Sequence, residues 1–375
     1  HEVTEIDLAA ATVTVRDLDA RRETVEPYDT LLLATGAVPI RPRLPGAEAD
    51  GIFGIQTLDD GTRLLSYMDE AKPRRAVVVG AGYIGVEMAE AMLERCGEVT
   101  VVERAPQPMT TLDPDMGAVV AKAVRQMGIE LRTEEKVEAF EVQDGRVSGV
   151  VTESGHIPAD LIVLGIGVRA NAQLAAEAGV QVLSCGAIGV DRRMRTSAEN
   201  VWAAGDCAAK YHRVSREFVA VPLGTHANKE GRIAGINIGG GYETFPGIVG
   251  TAVSKVCDLE VARTGLTEKE CRATGFDYVT ATVDSTTRAG YFPGASKIRI
   301  KLIVERRSGR LLGAQIVGRE HAGKRIDALA TALWNEMSVD EMHLMDLSYA
   351  PPFAPVWDPV LIAARKAWEN VQRAT

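Results

Sequence analysis

Val77-Val-Val-Gly80-Ala-Gly82-Tyr-Ile-Gly85 is the stretch that decides the fold. An apolar strand over 76–79 runs straight into G-x-G-x-x-G, and a helical pattern over 82–95 follows. Gly80 permits a tight turn, Gly82 lets backbone approach a pyrophosphate, and Gly85 lets the helix pack closely on the strand. The phosphates belong at the helix N-terminus, where unpaired N–H groups and the helix dipole favour anions. The next strand, over 99–103, ends on an acid 21 residues beyond Gly82, placed to accept hydrogen bonds from a ribose diol. A carboxylate repels a 2′-phosphate, so Glu103 favours NADH over NADPH, and the adjacent Arg104 weakens that preference. Two residues at the helix start admit two readings each. Tyr83 stands at the mouth of a nicotinamide site or packs a domain interface; Glu87 hydrogen-bonds the carboxamide or a lysine, or is a solvated helix residue.

Outward from this stretch, strands and helices alternate. A helix over 113–127, a strand over 129–132, a hairpin over 137–142 and 146–152 turning at Asp144-Gly145, and a strand over 161–164 follow. This is the βαβ pattern of a parallel sheet with helices on its faces. Upstream, 3–6, 12–15 and 23–26 read as a small meander, and Tyr28-Asp-Thr-Leu-Leu-Leu-Ala-Thr-Gly36 as a buried strand. The Pro-rich 38–46 reads as a linker, with a helix around 57–70 after it. A helix near 227–238 comes next, and the pattern then turns antiparallel, with strands over 278–284, 297–305 and 311–317. The last helix opens at Asp358-Pro359, Asp as N-cap and Pro at the first helical position.

At roughly 150 residues per domain, 375 residues make two or three domains. A hydrophobic share of 46% with 25% charged residues excludes disorder as the main state. The 42 basic and 51 acidic residues leave a charge of −9, which argues against nucleic acid, whose phosphates need clustered Lys and Arg. No apolar run reaches the roughly 18–20 residues of a membrane span, so no membrane partner is expected. The five cysteines (96, 185, 207, 257 and 271) form no C-x-x-C and are odd in number, so neither a disulfide framework nor a zinc cage is expected. With no secretory or transit pattern, the expected location is cytoplasmic. Six histidines show no metal-ligand spacing and no Ser-His-Asp arrangement, so no metal is expected.

Thr30-Leu-Leu-Leu-Ala-Thr-Gly36 and Thr196-Ser-Ala-Glu-Asn-Val-Trp-Ala-Ala-Gly-Asp206 flank the Rossmann unit. Together the three resemble the pyridine nucleotide–disulfide oxidoreductases, flavoproteins in which an NAD domain is inserted into an FAD domain. Tyr291-Phe-Pro-Gly294, Lys324-Arg-Ile-Asp327, Tyr349-Ala-Pro-Pro-Phe353, Trp357-Asp-Pro359 and Ala227-Asn-Lys-Glu-Gly-Arg-Ile-Ala-Gly-Ile-Asn237 narrow the match. They are similar to the coenzyme A disulfide reductase, NADH oxidase and persulfide reductase group, over nearly the whole chain. The resemblance implies an α/β chain with two Rossmann-like dinucleotide-binding domains and an α+β C-terminal dimerisation domain. The FAD-binding part spans 1–73 and 186–243, the NAD(P)-binding part 74–185, and the dimerisation domain 244–375.

The resemblance also implies site residues. FAD would meet Val3, Ala34, Thr35, Gly36, Gly205, Asp206 and Ala227, with Trp202 in the aromatic slot of its motif. Asp206, at a strand end leading into a helix, would accept hydrogen bonds from the ribityl chain. NAD(P)H would meet Gly80, Gly82, Tyr83, Ile84, Gly85, Glu87, Glu103 and Gly167. Tyr291 and Tyr349 would approach the active site of the neighbouring subunit in a homodimer, where a phenol can donate a proton to a developing thiolate or peroxide.

Family members open with a strand and a G-x-G-x-x-G for the FAD pyrophosphate, then carry a redox cysteine. This sequence opens mid-pattern at His1-Glu-Val-Thr-Glu-Ile, which leads us to expect a chain starting ~80 residues late, with the redox cysteine in the preceding segment. Cys207, beside Asp206 at an expected helix start that would lower its pKa, reads as a packing residue. The function expected is an FAD-dependent enzyme passing hydride from NADH to FAD and on to a disulfide or persulfide acceptor such as CoA disulfide. The alternatives are an NADH oxidase or peroxidase, a ferredoxin or rubredoxin reductase (against which the Tyr349–Phe353 tail counts), and a degenerate NAD-binding or dimerisation module.

Overall fold

The computed structural model describes residues 1–374 and divides into two compact units. One comprises His1–Val38 with Val168–Ile248, the other Pro39–Gly167 with the chain from Val249 onward.

In the first unit, Glu2–Asp7, Thr12–Arg16 and Glu23–Pro27 form the expected antiparallel meander. Leu31–Leu33 pairs in parallel with Val201–Ala203, Leu31 opposite Val201 and Leu33 opposite Ala203. The two sequence motifs that flank the Rossmann unit thus become neighbouring strands. Ile6, Leu33, Val180, Ile188, Val201 and Ala203 share a core beneath them. The helix Gly224–Ile238 buries Ile233 and Ala234 against Met194, Phe245 and Ile248.

In the second unit, a parallel sheet runs in the order Ile52–Gly54, Leu161–Leu164, Arg75–Val79, Glu98–Val102, Glu130–Arg132. Leu161–Leu164 is buried at every position, as a parallel strand covered on both faces requires. The helix Leu58–Ala71, opened by a Thr57–Asp60 capping box, follows the edge strand. The segment from 39 to 73, assigned from the sequence to the FAD-binding part, therefore packs here. The reason is the parallel register of Ile52 with Ile162, a long-range pairing with no local sign. The hairpin Val137–Gln143/Arg146–Thr152 turns at Asp144-Gly145, both with positive φ, as a two-residue hairpin demands.

A five-stranded antiparallel sheet completes this unit, ordered Ala252–Val256, Leu259–Gly265, Leu311–Gly318, Lys297–Glu305, Tyr278–Thr286. Helix Ala322–Trp334 packs on its second and third strands, and Pro359–Ala374 on the last two. Asp358 opens the final helix by accepting the Val360 N–H at 2.9 Å. Val256, Val261 and Val317 of this sheet join one core with Val78, Ala89 and Val101 of the parallel sheet.

Candidate functional site

Three glycine backbones interlock at the end of the strand Arg75–Val79. Gly80 has φ +95°, and a Cβ there would meet the Gly165 carbonyl oxygen at 2.6 Å. A Cβ on Gly85 would meet the Gly80 oxygen at 2.0 Å, and one on Gly165 the Gly85 Cα at 2.7 Å. A Cβ on Gly82 would meet nothing nearer than 4.0 Å, so its bareness leaves a surface open to a ligand rather than a packing contact. The helix Tyr83–Leu93 carries no side-chain cap, leaving its first N–H groups for an anion. These residues fit a pyrophosphate. Gly165, a third contributor, escaped the sequence reading, although the Gly165-Ile-Gly167 pair after a buried strand marks it.

Glu103 acts within the loop itself. Its Oε2 accepts the N–H of fully buried Ala81 at 2.7 Å, and its Oε1 the N–H of Ala105 at 2.8 Å. Met109 N–H adds a bond to the Ala81 carbonyl at 2.7 Å. The carboxylate therefore braces the glycine loop, and each oxygen keeps a lone pair beyond the bond it accepts. Arg104 is exposed beside it.

Of the other expected NAD residues, Ile84 lies in the first helical turn and Gly167 is exposed, its carbonyl accepting Ile40 N–H at 3.0 Å. The Tyr83 hydroxyl is buried without completing a hydrogen bond, and burial raises its pKa. Glu87 is exposed and accepts the Ser254 hydroxyl at 2.6 Å, tying the helix to the antiparallel sheet. Glu90, one turn on, accepts the Cys257 N–H at 2.9 Å.

In the first unit, Ala34, Thr35 and Gly36 follow one parallel strand, and Gly205 and Asp206 follow its neighbour, so both turns emerge at the same sheet end. Asn171 holds the first turn: the Thr35 hydroxyl donates to its carbonyl at 2.6 Å, and its N–H donates to the Gly36 carbonyl at 2.9 Å. Ala227 lies against Gly205, whose Cβ would come 3.7 Å from that of Ala227. Asp206 Oδ1 is buried with no partner, a cost of roughly 1–3 kcal/mol unless a donor arrives. A polyol hydroxyl is such a donor, and the residues present fit the ribityl chain. Val3 stands apart on the meander, opposite Val15 and 42% exposed.

One expectation fails here. No helix starts after Asp206; Ala208 N–H turns back to the Gly205 carbonyl at 2.9 Å, and Ala208 then bridges Ile188. Cys207 accordingly gains no helix dipole. It is fully buried, its Sγ donating towards the Leu33 and Ala204 carbonyls, which is the packing role expected of it. Cys271 is also fully buried, and burial beside Glu270 pushes its thiol up to about 12.

In the antiparallel part, Tyr291 and Tyr349 are both exposed, and the neighbouring Tyr291 hydroxyl raises the pKa of Tyr349. Their loops are joined by the Ala289 N–H donating to the Pro351 carbonyl at 3.2 Å. Arg325 donates to the Phe353 carbonyl (3.1 Å), the Thr287 carbonyl (2.9 Å) and Asp358 (3.0 Å), gathering the motifs that stand apart in sequence.

Residues 1–231 match the family described as pyridine nucleotide-disulphide oxidoreductase, and residues 251–359 match its dimerisation domain. The chain belongs to that family. Among curated relatives, an NAD(P)H sulfur oxidoreductase (CoA-dependent) of Pyrococcus abyssi is 39% identical over 97% of this chain and 80% of its own. An NADH oxidase of Methanocaldococcus jannaschii is 37% identical over 99% of this chain and 82% of its own. Among solved structures, an NAD-dependent persulfide reductase from A. fulgidus superposes with a TM-score of 0.95 at 39% identity, covering 99% of this chain and 69% of that one.

As a pyridine nucleotide-disulphide oxidoreductase, the protein is an enzyme whose cofactors are FAD and NAD(P)H, the pair expected from the sequence. Its mixed α/β architecture with a C-terminal dimerisation domain is that of the family. Among the described residues no helix is long and apolar enough to cross a membrane, and no group of three or more His, Cys, Asp or Glu forms a metal cluster.

Proposed function

We propose that the protein takes hydride from NADH and, through FAD, reduces a disulfide or persulfide such as CoA disulfide. One observation carries this reading: the chain holds two nucleotide-type strand ends, the glycine interlock braced by Glu103 and the Asp206 turn with its unpartnered buried oxygen. FAD, when bound, accepts hydride from a nicotinamide and passes electrons on to a sulfur acceptor. Gly80, Gly82, Ile84 and Gly85 hold the NADH pyrophosphate, Glu103 the ribose, and Gly167 lies beside the dinucleotide. Tyr83 screens the nicotinamide from water, and Glu87 steadies its helix through Ser254. Asp206 holds the ribityl chain, with Ala34, Thr35, Gly36, Gly205 and Ala227 lining the flavin, while Val3 lies apart on the meander.

Tyr349, its pKa raised by the neighbouring Tyr291 hydroxyl, stays protonated at neutral pH and donates a proton to the acceptor's departing sulfur. Tyr291, Phe353, Val356 and Trp357 leave large apolar surfaces exposed, which a second copy covers in a homodimer. The relatives named as CoA-dependent sulfur and persulfide reductases support a sulfur acceptor. Anaerobic NADH oxidation tests the reading, with CoA disulfide, a persulfide, or no acceptor added. Either sulfur compound should accelerate turnover. No response to either sulfur compound without oxygen, together with oxygen consumption matching NADH loss in a parallel aerobic assay, points instead to the oxidase reading that the Methanocaldococcus relative's name favours.

A further inference from the structure

A buried ion pair lies directly behind the Asp206 turn. Lys210, on the short strand Lys210–Tyr211, and Glu230, on the helix Gly224–Ile238, have wholly buried side chains, with Nζ 3.3 Å from Oε2. The three ammonium protons are all engaged: the Gly205 carbonyl at 2.6 Å, the Ala208 carbonyl at 2.7 Å, and Glu230. Glu230 Oε2 accepts the Gly205 N–H at 2.9 Å. The N–H and the C=O of one residue, Gly205, are thus gripped by opposite charges of a single pair. The next residue is Asp206.

Stability alone does not account for the pair. Removing two charges from water is costly, and apolar residues of similar volume in such a position are often neutral or stabilising. The pair also leaves polar capacity unused around the turn: Glu230 Oε1 and Asp206 Oδ1 are both buried without partners. His226, one helical turn before Glu230, presents a third such atom, Nδ1. Without the pair, Gly205 itself would keep the Ala208 N–H bond to its carbonyl and lose the partner of its N–H.

We propose that Lys210 and Glu230 are positioning residues for FAD: by clamping the Gly205 peptide groups they fix the direction in which Asp206 presents its carboxylate to the ribityl chain. This rests on Asp206 being the ribityl ligand. Lys210→Met/Glu230→Leu removes both charges while keeping volume, and Asp206→Asn tests the ligand itself. FAD is titrated into the deflavinated protein and followed by flavin fluorescence, the vibronic structure of the bound-flavin absorption band, and NADH affinity as a control for folding. The double variant is expected to weaken FAD binding about 10-fold or more and flatten the vibronic structure with NADH affinity unchanged; Asp206→Asn weakens FAD by a similar factor. Parental FAD affinity in the double variant, with Asp206→Asn impaired, overturns the positioning role and leaves the ligand standing. Parental affinity in Asp206→Asn removes the ligand reading and the inference with it. Lys210→Met, which releases the Gly205 and Ala208 carbonyls, makes the same test if the double variant fails to fold: weakened FAD binding supports the clamp, and parental affinity overturns it.

Discussion

Replacing Glu103 by alanine distinguishes a carboxylate that waits for ribose from one that holds the loop together without it. The Ala81 N–H is fully buried and its partner is Glu103 Oε2 at 2.7 Å, so the substitution strands a donor in the interior. That costs about 1–3 kcal/mol, towards the upper end because the partner is charged. The Ala105 N–H, 2.8 Å from Oε1 in a half-buried setting, adds less than about 1 kcal/mol. A total of about 2–3 kcal/mol corresponds to a fall of roughly 4–10 °C in melting temperature for a unit of this size. Calorimetry on the nucleotide-free protein reads this directly. Titrations with NADH and NADPH on the same variant should show the larger loss for NADH. A Glu103→Ala variant melting within about 1 °C of its parent in the absence of nucleotide would refute the brace and leave only a ribose ligand.

Three further outcomes are expected. Tyr349→Phe should slow turnover with the sulfur acceptor while leaving flavin reduction by NADH intact, as rapid-mixing absorbance would show; equal rates in both half-reactions dismiss the proton-donor role. Lys301→Met should destabilise the second unit by about 3–5 kcal/mol, since Lys301 Nζ donates to Asp115 at 2.7 Å and Glu268 at 2.5 Å and lies 3.3 Å from Asp113. Burial pushes Glu268 up, but the Lys301 bond and charge outweigh it and hold its carboxyl below the ordinary value. The stability it contributes is therefore present above the unfolded pKa and lost as pH falls, so the gap in melting temperature between parent and variant should narrow from pH 7 towards roughly pH 4. Cys271, with its thiol pushed up to about 12, should resist thiol reagents in the native state at pH 8, where only about one part in ten thousand is thiolate. Labelling of Cys271 before unfolding contradicts its burial.

Local patterns in the sequence announced much of this. The run from Val77 to Gly85 encodes strand, turn and helix in contiguous residues, and each glycine meets a neighbour or a ligand surface at short range. Asp144-Gly145 and Asp358-Pro359 likewise act within a few residues of themselves. What escaped notice is set by partners far away. Ile52–Gly54 is too short to read as a strand and becomes one only beside Leu161–Leu164. Lys210 and Glu230 are ordinary charged residues in sequence, and nothing local says that both will be buried against Gly205. Glu103 was legible as an acid at a strand end, but its bond to Ala81 depends on how two strand ends lie side by side. The expected helix at Cys207 failed for the same reason: a bridge to Ile188 claimed the backbone first.

The parallel ladder of Leu31–Leu33 with Val201–Ala203 joins residues 170 positions apart (201 − 31). A ribosome must finish residue 203 before that ladder can form, so Leu31–Leu33 waits in the nascent chain without its partner. Loop-closure entropy rises only about 0.6 kcal/mol per doubling of length, yet such non-local pairings are kinetically slow. Condensation of 39–167, which belongs to the other unit, would shorten the effective loop and hasten closure. Synthesis is thus nested like brackets, and substitutions that delay the inner block should retard the outer ladder although they touch none of its residues.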